Sequence, residues 1–373
     1  MGIGSKNIII VLPFLSLGGA ETQAFYVALG LKQKGHNVTV VAFDKKSGKL
    51  ISKLEDHGIP WELADYDLSL IHQSGWKKFT ELIKFGLFLR KLKPDFLLPF
   101  TYYPNVLCSC VRILTGAKKC FWNQRGMEAL GVSIIEKIAI RSKPSYLSNS
   151  IGGAEFIAKR HNIEVNSIGV ISNGIEESKI KNDSSFWERR IKLQKDELVF
   201  VMVANFFPEK NHPFLLSSWQ KFNEQFPNEK LKLVLVGYSP NNWGLFESKS
   251  IAFDHQMDNV VFLESSDDIP GLLKQCDIGL LTSSSEGCPN SVLEYMLSGK
   301  PAIVSEIKAT TEIFGNDYPL FCDLNDENSL VDSLAKTLDP EFRAKIAEEN
   351  RQLVKEKYSI DNLKLAYQKL IEL

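Results

Sequence analysis

The sequence predicts an α/β protein built from two doubly wound, Rossmann-like domains. Short apolar segments alternate with longer amphipathic segments along the whole chain, and this alternation is typical of parallel sheets covered by helices on both faces. The alternation starts again in the second half, after a charged stretch. A chain of 373 residues also exceeds what one ordinary core organises, so two domains are expected.

The apolar segments define the predicted strands. In the first half these are Asn7–Pro13, Asn37–Phe43, Phe96–Phe100, Lys119–Trp122, Ser145–Ser148 and Ser167–Ile171. In the second half they are Leu198–Ala204, Leu231–Gly237, Val260–Leu263, Asp277–Thr282 and Pro301–Val304. Helical spacing of apolar residues is clearest over Ala20–Gly35, which ends at a glycine, and over Phe79–Leu92, which stops before a Lys-Pro pair.

The domain boundary is predicted directly after Ile175. The residues that follow, Glu176–Lys195, are charged and carry no strand pattern, as expected of a linker. At the other end of the chain, Ile360, Leu363 and Tyr367 mark the apolar face of a last helix.

Composition narrows the class of protein. A net charge of −1 gives no reason to expect a nucleic-acid partner. The six cysteines form no Cys-x-x-Cys pair and have no histidine at zinc spacing, so no metal site is expected and the thiols are typical of a reduced, cytoplasmic protein. No window offers about 20 uncharged apolar residues, so no membrane span is predicted. The apolar segment near the start contains Pro13 and is interpreted as a strand, not as a secretion signal.

Two carboxylates, Glu286 and Glu294, stand eight positions apart where a buried strand gives way to a helix. Pro289 or Asn290 is predicted to begin that helix, which places Glu286 in the loop and Glu294 about one turn inside the helix. The N–H groups between them lie at the positive end of the helix and suit a phosphate or a sugar oxygen.

Two other interpretations of this glutamate pair remain open. The pair can be two solvent-exposed acids, or a carboxylate pair for hydrolytic acid–base chemistry. The glycine and the proline between the two glutamates favour a loop shaped around a ligand.

Three more residues lie in loops that follow predicted strands, at the sheet edge where doubly wound domains bind ligands. Lys210 can reach a diphosphate or can simply be solvated. Gly19 opens the first helix, either to let a phosphate approach the backbone or as a plain tight turn. Arg125 either holds a phosphate or sugar hydroxyl or is a salt-bridged structural arginine.

The segment Thr80–Arg90 is amphipathic and basic. Lysines lie on it or close to it, at positions 77, 78, 84, 91 and 93. Such a helix can rest on an anionic membrane face. The favoured interpretation is an ordinary crossover helix with a solvated basic side.

Together these motifs resemble the retaining glycosyltransferases of family four, which have the GT-B fold. The most specific match is the frame Glu-Gly-x-Pro-Asn…Leu-Glu-x-Met…Gly-x-Pro, which runs from Glu286 to Pro301. Weaker matches are spread over nearly the full chain: Gly18-Gly19-Ala20-Glu21, Ser148-Asn149-Ser150, Ile171–Ile175, Pro208–His212, Leu235-Val236-Gly237 and Glu312-Ile313.

The resemblance implies two Rossmann-like domains that face a cleft. Residues 1–175, with the C-terminal helix 359–373 returning to them, would form the acceptor domain. Residues 176–358 would form the nucleotide-sugar donor domain. The family usually carries an arginine where this chain has Asn205, so neutralisation of the diphosphate would fall to Lys210, alone or with Arg125 from the first domain.

The resemblance also implies roles for individual residues. Glu294 would bind the ribose hydroxyls, Glu286 would contact the donor sugar, and Lys210 would neutralise the leaving diphosphate. The predicted catalytic residues are therefore Glu286, Lys210 and Arg125. The predicted donor-binding residues are Glu294, Gly287, Cys288, Pro289, Asn290, Gly19, Asn205 and Gly237.

The predicted activity is retaining transfer of a hexose from a UDP- or GDP-sugar to a carbohydrate or lipid-linked acceptor, in surface polysaccharide or glycoconjugate synthesis. Neither a metal nor another cofactor is expected. The predicted location is the cytoplasm, with peripheral contact to the membrane face as an open possibility. Two alternatives remain: a nucleotide-sugar epimerase of the same fold, and a catalytically degenerate protein that binds a sugar or a partner.

Overall fold

A computed structural model describes residues 4–69, 76–126, 133–177, 181–239, 242–266 and 268–372. These residues form two compact units. The first unit runs to Gly174 and resumes at Ile360, and the second unit is Ile175–Ser359. Both crossings lie one residue from the boundaries predicted from the sequence.

Strands and helices alternate along the described chain. The strands are β1 (Asn7–Phe14), β2 (Asn37–Asp44), β3 (Trp61–Leu63), β4 (Phe96–Pro99), β5 (Lys119–Gln124), β6 (Ser145–Ser148), β7 (Gly169–Val170), β8 (Leu198–Val203), β9 (Leu231–Val236), β10 (Val260–Leu263), β11 (Ile278–Leu281), β12 (Ala302–Ser305) and β13 (Phe321–Cys322). The helices are α1 (Gly19–Gln33), α2 (Lys49–Asp56), α3 (Lys77–Lys91), α4 (Tyr102–Thr115), α5 (Ile134–Arg141), α6 (Ile151–His161), α7 (Ser184–Ile191), α8 (His212–Gln225), α9 (Trp243–Asp254), α10 (Ile269–Leu273), α11 (Asn290–Leu297), α12 (Lys308–Phe314), α13 (Glu327–Lys336), α14 (Pro340–Lys357) and α15 (Ile360–Glu372).

The described part of the first unit contains a parallel sheet of seven strands in the order β3-β2-β1-β4-β5-β6-β7. Ile10 in the interior strand β1 pairs with Val40 on one side and Leu98 on the other. The strand is buried on both faces, which explains why its sequence is a continuous apolar run and not an alternating one. The predicted doubly wound architecture is confirmed for this unit.

The last helix, α15, packs on α1 of the first unit. Ile360, Leu363 and Tyr367 are buried in the same apolar core as α1, which confirms the predicted apolar face. Gly30 of α1 makes this close approach possible, because a Cβ atom there would overlap the side chain of Lys364. The amide of Gln368 also donates to the carbonyl oxygen of Gly30 at 2.8 Å.

The described part of the second unit contains a parallel sheet of six strands in the order β10-β9-β8-β11-β12-β13. Separate apolar clusters cover its two faces. Strands β8 and β11 are neighbours at the centre, although about 80 residues separate them along the chain. Their adjacency brings the loops that follow them side by side. The doubly wound prediction is confirmed here too.

The prediction of a linker over Glu176–Lys195 is wrong for much of this stretch. Residues 184–191 form α7, and Trp187 is buried in the core of the second unit. Asp268 accepts hydrogen bonds from the indole of Trp187 and from the backbone of Asn182, at 2.9 and 3.0 Å. The sequence did not predict this helix because only two of its side chains are buried and, apart from Phe186, the others are charged or polar.

Two short strands were also missed. β3 has three residues and β13 has two, which is too short for an apolar period to be visible. The predicted strand Ser167–Ile171 is reduced to the two residues of β7, because Val165–Ser167 forms a 3₁₀ helix.

None of the described helices is long and apolar enough to cross a lipid bilayer. All six cysteines are free thiols. Four of them, Cys108, Cys120, Cys276 and Cys322, are buried.

Candidate active site

The loop between β11 and α11 carries the glutamate pair. Helix α11 begins at Asn290 with Pro289 at its N-cap, as predicted. Its first-turn N–H groups have no acceptor within the helix and give this end a positive potential. Tyr295 seats the helix on the sheet, because its hydroxyl accepts a 2.7 Å hydrogen bond from the backbone N–H of Val203 in β8. Gly279 leaves room for the Tyr295 ring, which a Cβ atom would overlap.

Lys210 and Glu286 form an ion pair at the carboxyl ends of β8 and β11. Lys210 is the last residue of the 3₁₀ helix Pro208–Lys210, and its Nζ lies 2.5 Å from Oε1 of Glu286. The hydroxyl of Ser283 donates to the same oxygen at 2.7 Å. The two side chains are 19% and 13% exposed, so each remains accessible to a ligand while its geometry is held by the other.

Backbone contacts lock these two loops together. Thr282 Oγ1 donates to the carbonyl oxygen of Lys210 at 3.0 Å. The backbone N–H of Ser284 donates to the carbonyl oxygen of Glu209 at 2.8 Å. Asn211, directly after Lys210, adopts a left-handed conformation with φ of 55°, which asparagine tolerates better than most residues. The positions of Lys210 and Glu286 are therefore fixed by the hydrogen bonds between their two loops, and their contact does not depend on the side chains alone.

Ser283 is itself positioned by the neighbouring strand. Its carbonyl oxygen accepts from Ser305 Oγ at 2.6 Å, and the carbonyl of Ser305 accepts from Thr310 Oγ1 at 2.6 Å. These three hydroxyl residues are buried and were not singled out from the sequence. The signal that could have found Ser283 and Ser305 is their place at the ends of β11 and β12, whereas Thr310 lies in α12.

Glu294 is partly buried on the first turns of α11. Within the described ranges, no side chain or backbone N–H is hydrogen-bonded or ion-paired to its carboxylate. Burial raises the pKa of Glu294 to about 7. A carboxylate without a partner, close to the positive end of a helix, is suited to accept hydrogen bonds from ligand hydroxyls.

Asn205 and Gly237 hold the ends of β8 and β9 together. The side-chain oxygen of Asn205 accepts from the N–H of Tyr238 at 3.0 Å, so this oxygen is already engaged. Gly237 lies against the backbone of Ala204, where a Cβ atom would overlap the carbonyl group. The contacts described for these two predicted donor-binding residues are internal to the unit.

His212 lies two residues after Lys210 and received no role from the sequence. Its ring is buried and stacks on Phe206 with centroids 4.4 Å apart. Burial, with a smaller contribution from the charge of Lys210, lowers the pKa of His212 to about 4. The imidazole is therefore neutral at physiological pH and packs beneath the loop that carries the lysine.

In the first unit, Arg125 follows β5 and is engaged in internal contacts. Its guanidinium donates to Asn173 Oδ1 at 2.8 Å and to the hydroxyl of Tyr367 at 3.0 Å. The ring of Phe100 lies 4.8 Å from the guanidinium carbon. These contacts hold the arginine within the first unit by hydrogen bonds and ring packing and not by the salt bridge of the structural interpretation. Its Nε is buried and has no hydrogen-bond partner among the described residues.

Gly19 is the first residue of α1, as the glycine turn predicts. The carboxylate of Glu21 folds back over Gly18, where a Cβ atom would overlap it. Glu21 is buried, and its burial raises the pKa of the carboxyl group. An acidic side chain of the protein itself thus lies at this helix N-terminus.

Comparison with known proteins identifies the second unit. Residues 183–353 match the family described as glycosyl transferases group 1. This unit is a group 1 glycosyltransferase domain. The resemblance to family-four glycosyltransferases, predicted from the motif around Glu286 and Glu294, is thereby confirmed.

Two curated glycosyltransferases of named activity are similar to this chain. The UDP-Gal:alpha-D-GlcNAc-diphosphoundecaprenol alpha-1,3-galactosyltransferase of Escherichia coli is 28% identical over 50% of this chain and 49% of its own length. The match thus spans about half of that relative. The N,N'-diacetylbacillosaminyl-diphospho-undecaprenol alpha-1,3-N-acetylgalactosaminyltransferase of Campylobacter jejuni is 24% identical over 82% of this chain and 83% of its own length.

Solved structures show the glycosyltransferase fold over the whole chain. Anabaena HepE, crystallised in complex with UDP and glucose, superposes with a TM-score of 0.81 at 17% identity, over 98% of this chain and 99% of HepE. The GT-B fold predicted from the sequence is confirmed by this likeness.

The glycosyltransferase residues predicted from the sequence are thus divided between the two units, and Asn205 and Gly237 lie in the second unit at the ends of β8 and β9. Lys210, Glu286 and Glu294 come together at one edge of the second sheet, with Gly287, Cys288, Pro289 and Asn290 in the same loop and helix start. Arg125 and Gly19 belong to the first unit, and each lies within a network of that unit.

Two other features of the described ranges bear on the site. No cluster of three or more His, Cys, Asp or Glu side chains suited to a metal ion is present there. A cavity of about 530 Å³ opens in the first unit between Lys119, Lys143 and Tyr146. It lies at the amino ends of β5 and β6, the edge opposite to that where ligands bind in doubly wound sheets.

Proposed function

We propose that this protein is a retaining glycosyltransferase that moves a hexose from a nucleotide-diphosphate sugar to a carbohydrate or lipid-linked acceptor, in the synthesis of a surface polysaccharide or glycoconjugate. One observation carries the proposal. A cation, an acid bound to it, an unpaired carboxylate and a helix N-terminus share the carboxyl edge of one sheet, at Lys210, Glu286, Glu294 and the start of α11.

The donor's diphosphate would bind between Lys210 and the first turn of α11. An ammonium and a helix N-terminus both favour a doubly charged anion. Glu294 would accept hydrogen bonds from the two ribose hydroxyls, because a carboxylate offers two oxygens and a ribose offers two adjacent donors. This pairing would also satisfy a carboxylate that has no partner among the described residues.

Glu286 would orient the donor sugar. Its Oε1 is held by Lys210 and Ser283, which leaves Oε2 to accept from sugar hydroxyls. Gly287, Cys288 and Asn290 would present backbone N–H groups to the sugar and to the diphosphate. Arg125 stays in the proposal as a residue of the first, acceptor-binding unit. Its hydrogen bonds to Asn173 and Tyr367 limit how far its guanidinium can contribute to neutralising the diphosphate.

The transfer would break the bond between the anomeric carbon and the phosphate oxygen. The acceptor oxygen would form its bond to the anomeric carbon on the same face, so the configuration is retained. The acceptor's proton would pass to the departing diphosphate, so no side chain of this protein is assigned as a base. Lys210 would stabilise the charge that develops on the diphosphate, and we propose that no metal is needed.

The comparisons support the class of substrates. HepE was crystallised with UDP and glucose, which favours a UDP-sugar as donor. The two curated relatives act on diphosphoundecaprenol-linked saccharides by their names, which favours a lipid-diphosphate-linked saccharide as acceptor. Work at the cytoplasmic membrane face is part of this proposal.

The test is a product assay with the full chain and EDTA. UDP-galactose, UDP-glucose, UDP-N-acetylglucosamine and GDP-mannose are each incubated with a synthetic lipid-diphosphate N-acetylglucosamine, and released nucleotide and new glycolipid are measured. We expect one UDP-sugar to give a glycolipid whose anomeric configuration by NMR matches that of the donor. An inverted product or a strict metal requirement would contradict the mechanism.

Two outcomes would replace the proposal. Conversion of a nucleotide sugar into its epimer without acceptor would show an epimerase. Absence of binding to every nucleotide in calorimetry would show a degenerate protein, and Asn205 at the position of the family's usual arginine is the feature that favours that alternative.

A further inference from the structure

Helix α3 of the first unit exposes an apolar stripe that the sequence pattern did not reveal. Trp76, directly before the helix, is 85% exposed, Ile83 is 53% exposed and Leu87 is 45% exposed. Their spacing of seven and four residues places them on one line along the helix. The opposite side of the helix, with Leu82, Phe85 and Leu89, is buried against the core.

Basic side chains border this stripe. Lys77, Lys84 and Lys91 recur every seven residues and lie in an adjacent row, because seven residues make nearly two turns of a helix. Arg90 lies on the other side of the stripe, and its guanidinium donates to the carbonyl of Leu114 at 3.4 Å. Glu81 is the single acidic residue between 76 and 93, and it pairs with Lys84 at 2.7 Å.

The outer face of α3 thus has an apolar centre with positive flanks. A solvated crossover helix normally exposes charged and polar side chains across the whole of its outer face. An exposed tryptophan, isoleucine and leucine between a row of lysines and one arginine are typical of a helix that lies in the plane of an anionic bilayer, with the apolar residues below the headgroups and the cations beside the phosphates. The ring of Phe79 contacts the exposed indole of Trp76, with ring centroids 6.1 Å apart, and helps to hold it in place.

We propose that this face of α3, defined by Trp76, Ile83 and Leu87 with Lys77, Lys84 and Lys91, docks the protein on the surface of an anionic lipid bilayer. Helix α4 packs beside α3, and its Ile113 is 79% exposed. Because α3 follows a strand of a parallel sheet, its Trp76 end lies at the carboxyl edge of that sheet and its Lys91 end at the amino edge. The membrane contact is therefore closest to the edge where ligands bind in this fold.

This docking deepens the proposed function, since a lipid-linked acceptor stays in the bilayer, but its test does not depend on catalysis. The second unit supplies a matched control. Helix α9 also exposes aromatic side chains on one face, Trp243, Phe246 and Phe253, but Glu247, Asp254 and a single lysine accompany them. If exposed aromatic residues bound lipid non-specifically, both α3 and α9 would contribute to vesicle binding. Docking on anionic lipid, by contrast, depends on α3.

The experiment measures co-sedimentation of the full chain with vesicles, without donor or acceptor. Vesicles of phosphatidylcholine alone are compared with vesicles that contain phosphatidylglycerol. The variants are Trp76→Ser/Ile83→Ser/Leu87→Ser, Lys77→Gln/Lys84→Gln/Lys91→Gln, and the control Trp243→Ser/Phe246→Ser/Phe253→Ser. Far-UV circular dichroism and UDP binding by calorimetry report on whether each variant is folded and whether the second unit is intact.

We expect the wild type and the α9 variant to bind the anionic vesicles equally, and binding to fall with added salt. Loss of the three lysines should lower the partition coefficient by roughly fivefold per lysine and flatten the salt dependence. Loss of the apolar stripe should lower it at least about tenfold. In the wild type, the tryptophan emission should shift to the blue on binding, and Trp76→Phe should remove most of that shift.

The proposal is overturned if the wild type does not bind anionic vesicles, or if the α3 and α9 variants lose binding equally. Capture of a protein partner through the stripe, without vesicle binding, would also overturn it. Failure of the proposed transfer shows in the product assay with vesicle binding intact, so the two failures are distinguishable.

Discussion

The guanidinium of Arg125 donates a hydrogen bond to the hydroxyl of Tyr367, 242 residues further along the chain. The amide of Asn123 donates to the same hydroxyl at 2.9 Å. The oxygen of Asn173 accepts from Arg125 one residue before the chain first crosses to the second unit. One arginine thus ties the return helix α15 and the first crossing to the end of β5.

Replacement of Tyr367 by Phe is expected to destabilise the first unit by about 2–4 kcal/mol, because one buried and one partly buried donor lose their acceptor. The ring itself is kept, so packing against Phe100 is retained. Chemical denaturation followed by circular dichroism measures the change. The control is Tyr103→Phe, on a partly exposed ring of the same unit. Equal midpoints for the Tyr367 variant and the wild type would contradict the assigned role.

Replacement of Glu294 by Gln is expected to weaken UDP binding at pH 8 about tenfold or more, because hydrogen bonds to a charged acceptor are lost. The pKa of Glu294 is about 7, so the wild type should gain affinity as the pH rises from about 6 to 8, and the variant should gain less. Ionisation of the phosphate itself is common to both proteins and cancels in the comparison. Calorimetry at three pH values measures the affinity of each protein for UDP. Glu188→Gln, on the exposed side of α7, is the control.

The same carboxyl makes an opposite prediction for stability. Burial raises the pKa of Glu294 from 4.5 to about 7, so between these pH values the folded protein holds a proton that the unfolded chain has released. Its contribution to stability therefore falls as the pH rises through this window. Glu294→Gln should be more stable than the wild type at pH 8 by about 1–3 kcal/mol, read from denaturation midpoints. A less stable variant at pH 8 would show that the carboxylate has a structural partner.

Replacement of Lys210 by Met should lower kcat by about a hundredfold or more, since the cation that stabilises the leaving diphosphate is gone. Lys210→Arg should keep a larger part of the rate, because the charge is retained although its geometry changes. Steady-state kinetics separate this effect from donor affinity. A thermal melt is the necessary control, because in the part of the chain that the structure describes the methionine leaves Glu286 with Ser283 as its one partner. Unchanged kcat in a folded variant would remove Lys210 from the mechanism.

His212 should make the second unit sensitive to acid. Its pKa is lowered from 6.5 to about 4, so between these values the unfolded chain binds a proton that the folded protein does not. Stability is therefore lost as the pH falls through this window, by at most about 3 kcal/mol. His212→Phe preserves the stacking on Phe206 and should flatten the loss between pH 6.5 and 4.5. An equal loss of stability in the wild type and the variant would show that groups other than His212 cause it.

Glu136 is buried between Arg160, His161 and Tyr102, with oxygen distances of 2.7, 3.2 and 2.8 Å. Burial by itself raises the pKa of a carboxyl group, but the hydrogen bonds from these three residues outweigh it and bring the pKa to about 2. Glu136→Gln leaves a partly buried arginine without its counter-ion and should cost about 3–5 kcal/mol. Donor binding should not change in the fraction that remains folded, which UDP calorimetry tests.

Much of the fold was predictable because local sequence patterns determine it. The interior strands β1, β8 and β11 are apolar runs of four or more residues, and the start of α11 follows from Pro289. Helix α7 was not predictable, because its two buried side chains are too few to make a periodic pattern against charged neighbours. The donor motif was predictable from its own spacing, whereas its support by Ser305 and Thr310 was not.

The sequence by itself determined which residue types stand at which strand ends: a lysine after β8, and a glutamate, a glycine and a proline after β11. Only the tertiary structure decided which of these residues meet. Strand β11 pairs with β8, and this order brings Lys210 within 2.5 Å of Glu286, 76 positions away. The order of strands in a parallel sheet depends on how helices cover both faces, which is a property of the whole unit and not of any segment. The same holds for the pKa of Glu294 and for the apolar stripe on α3, because burial is known only once the chain has packed.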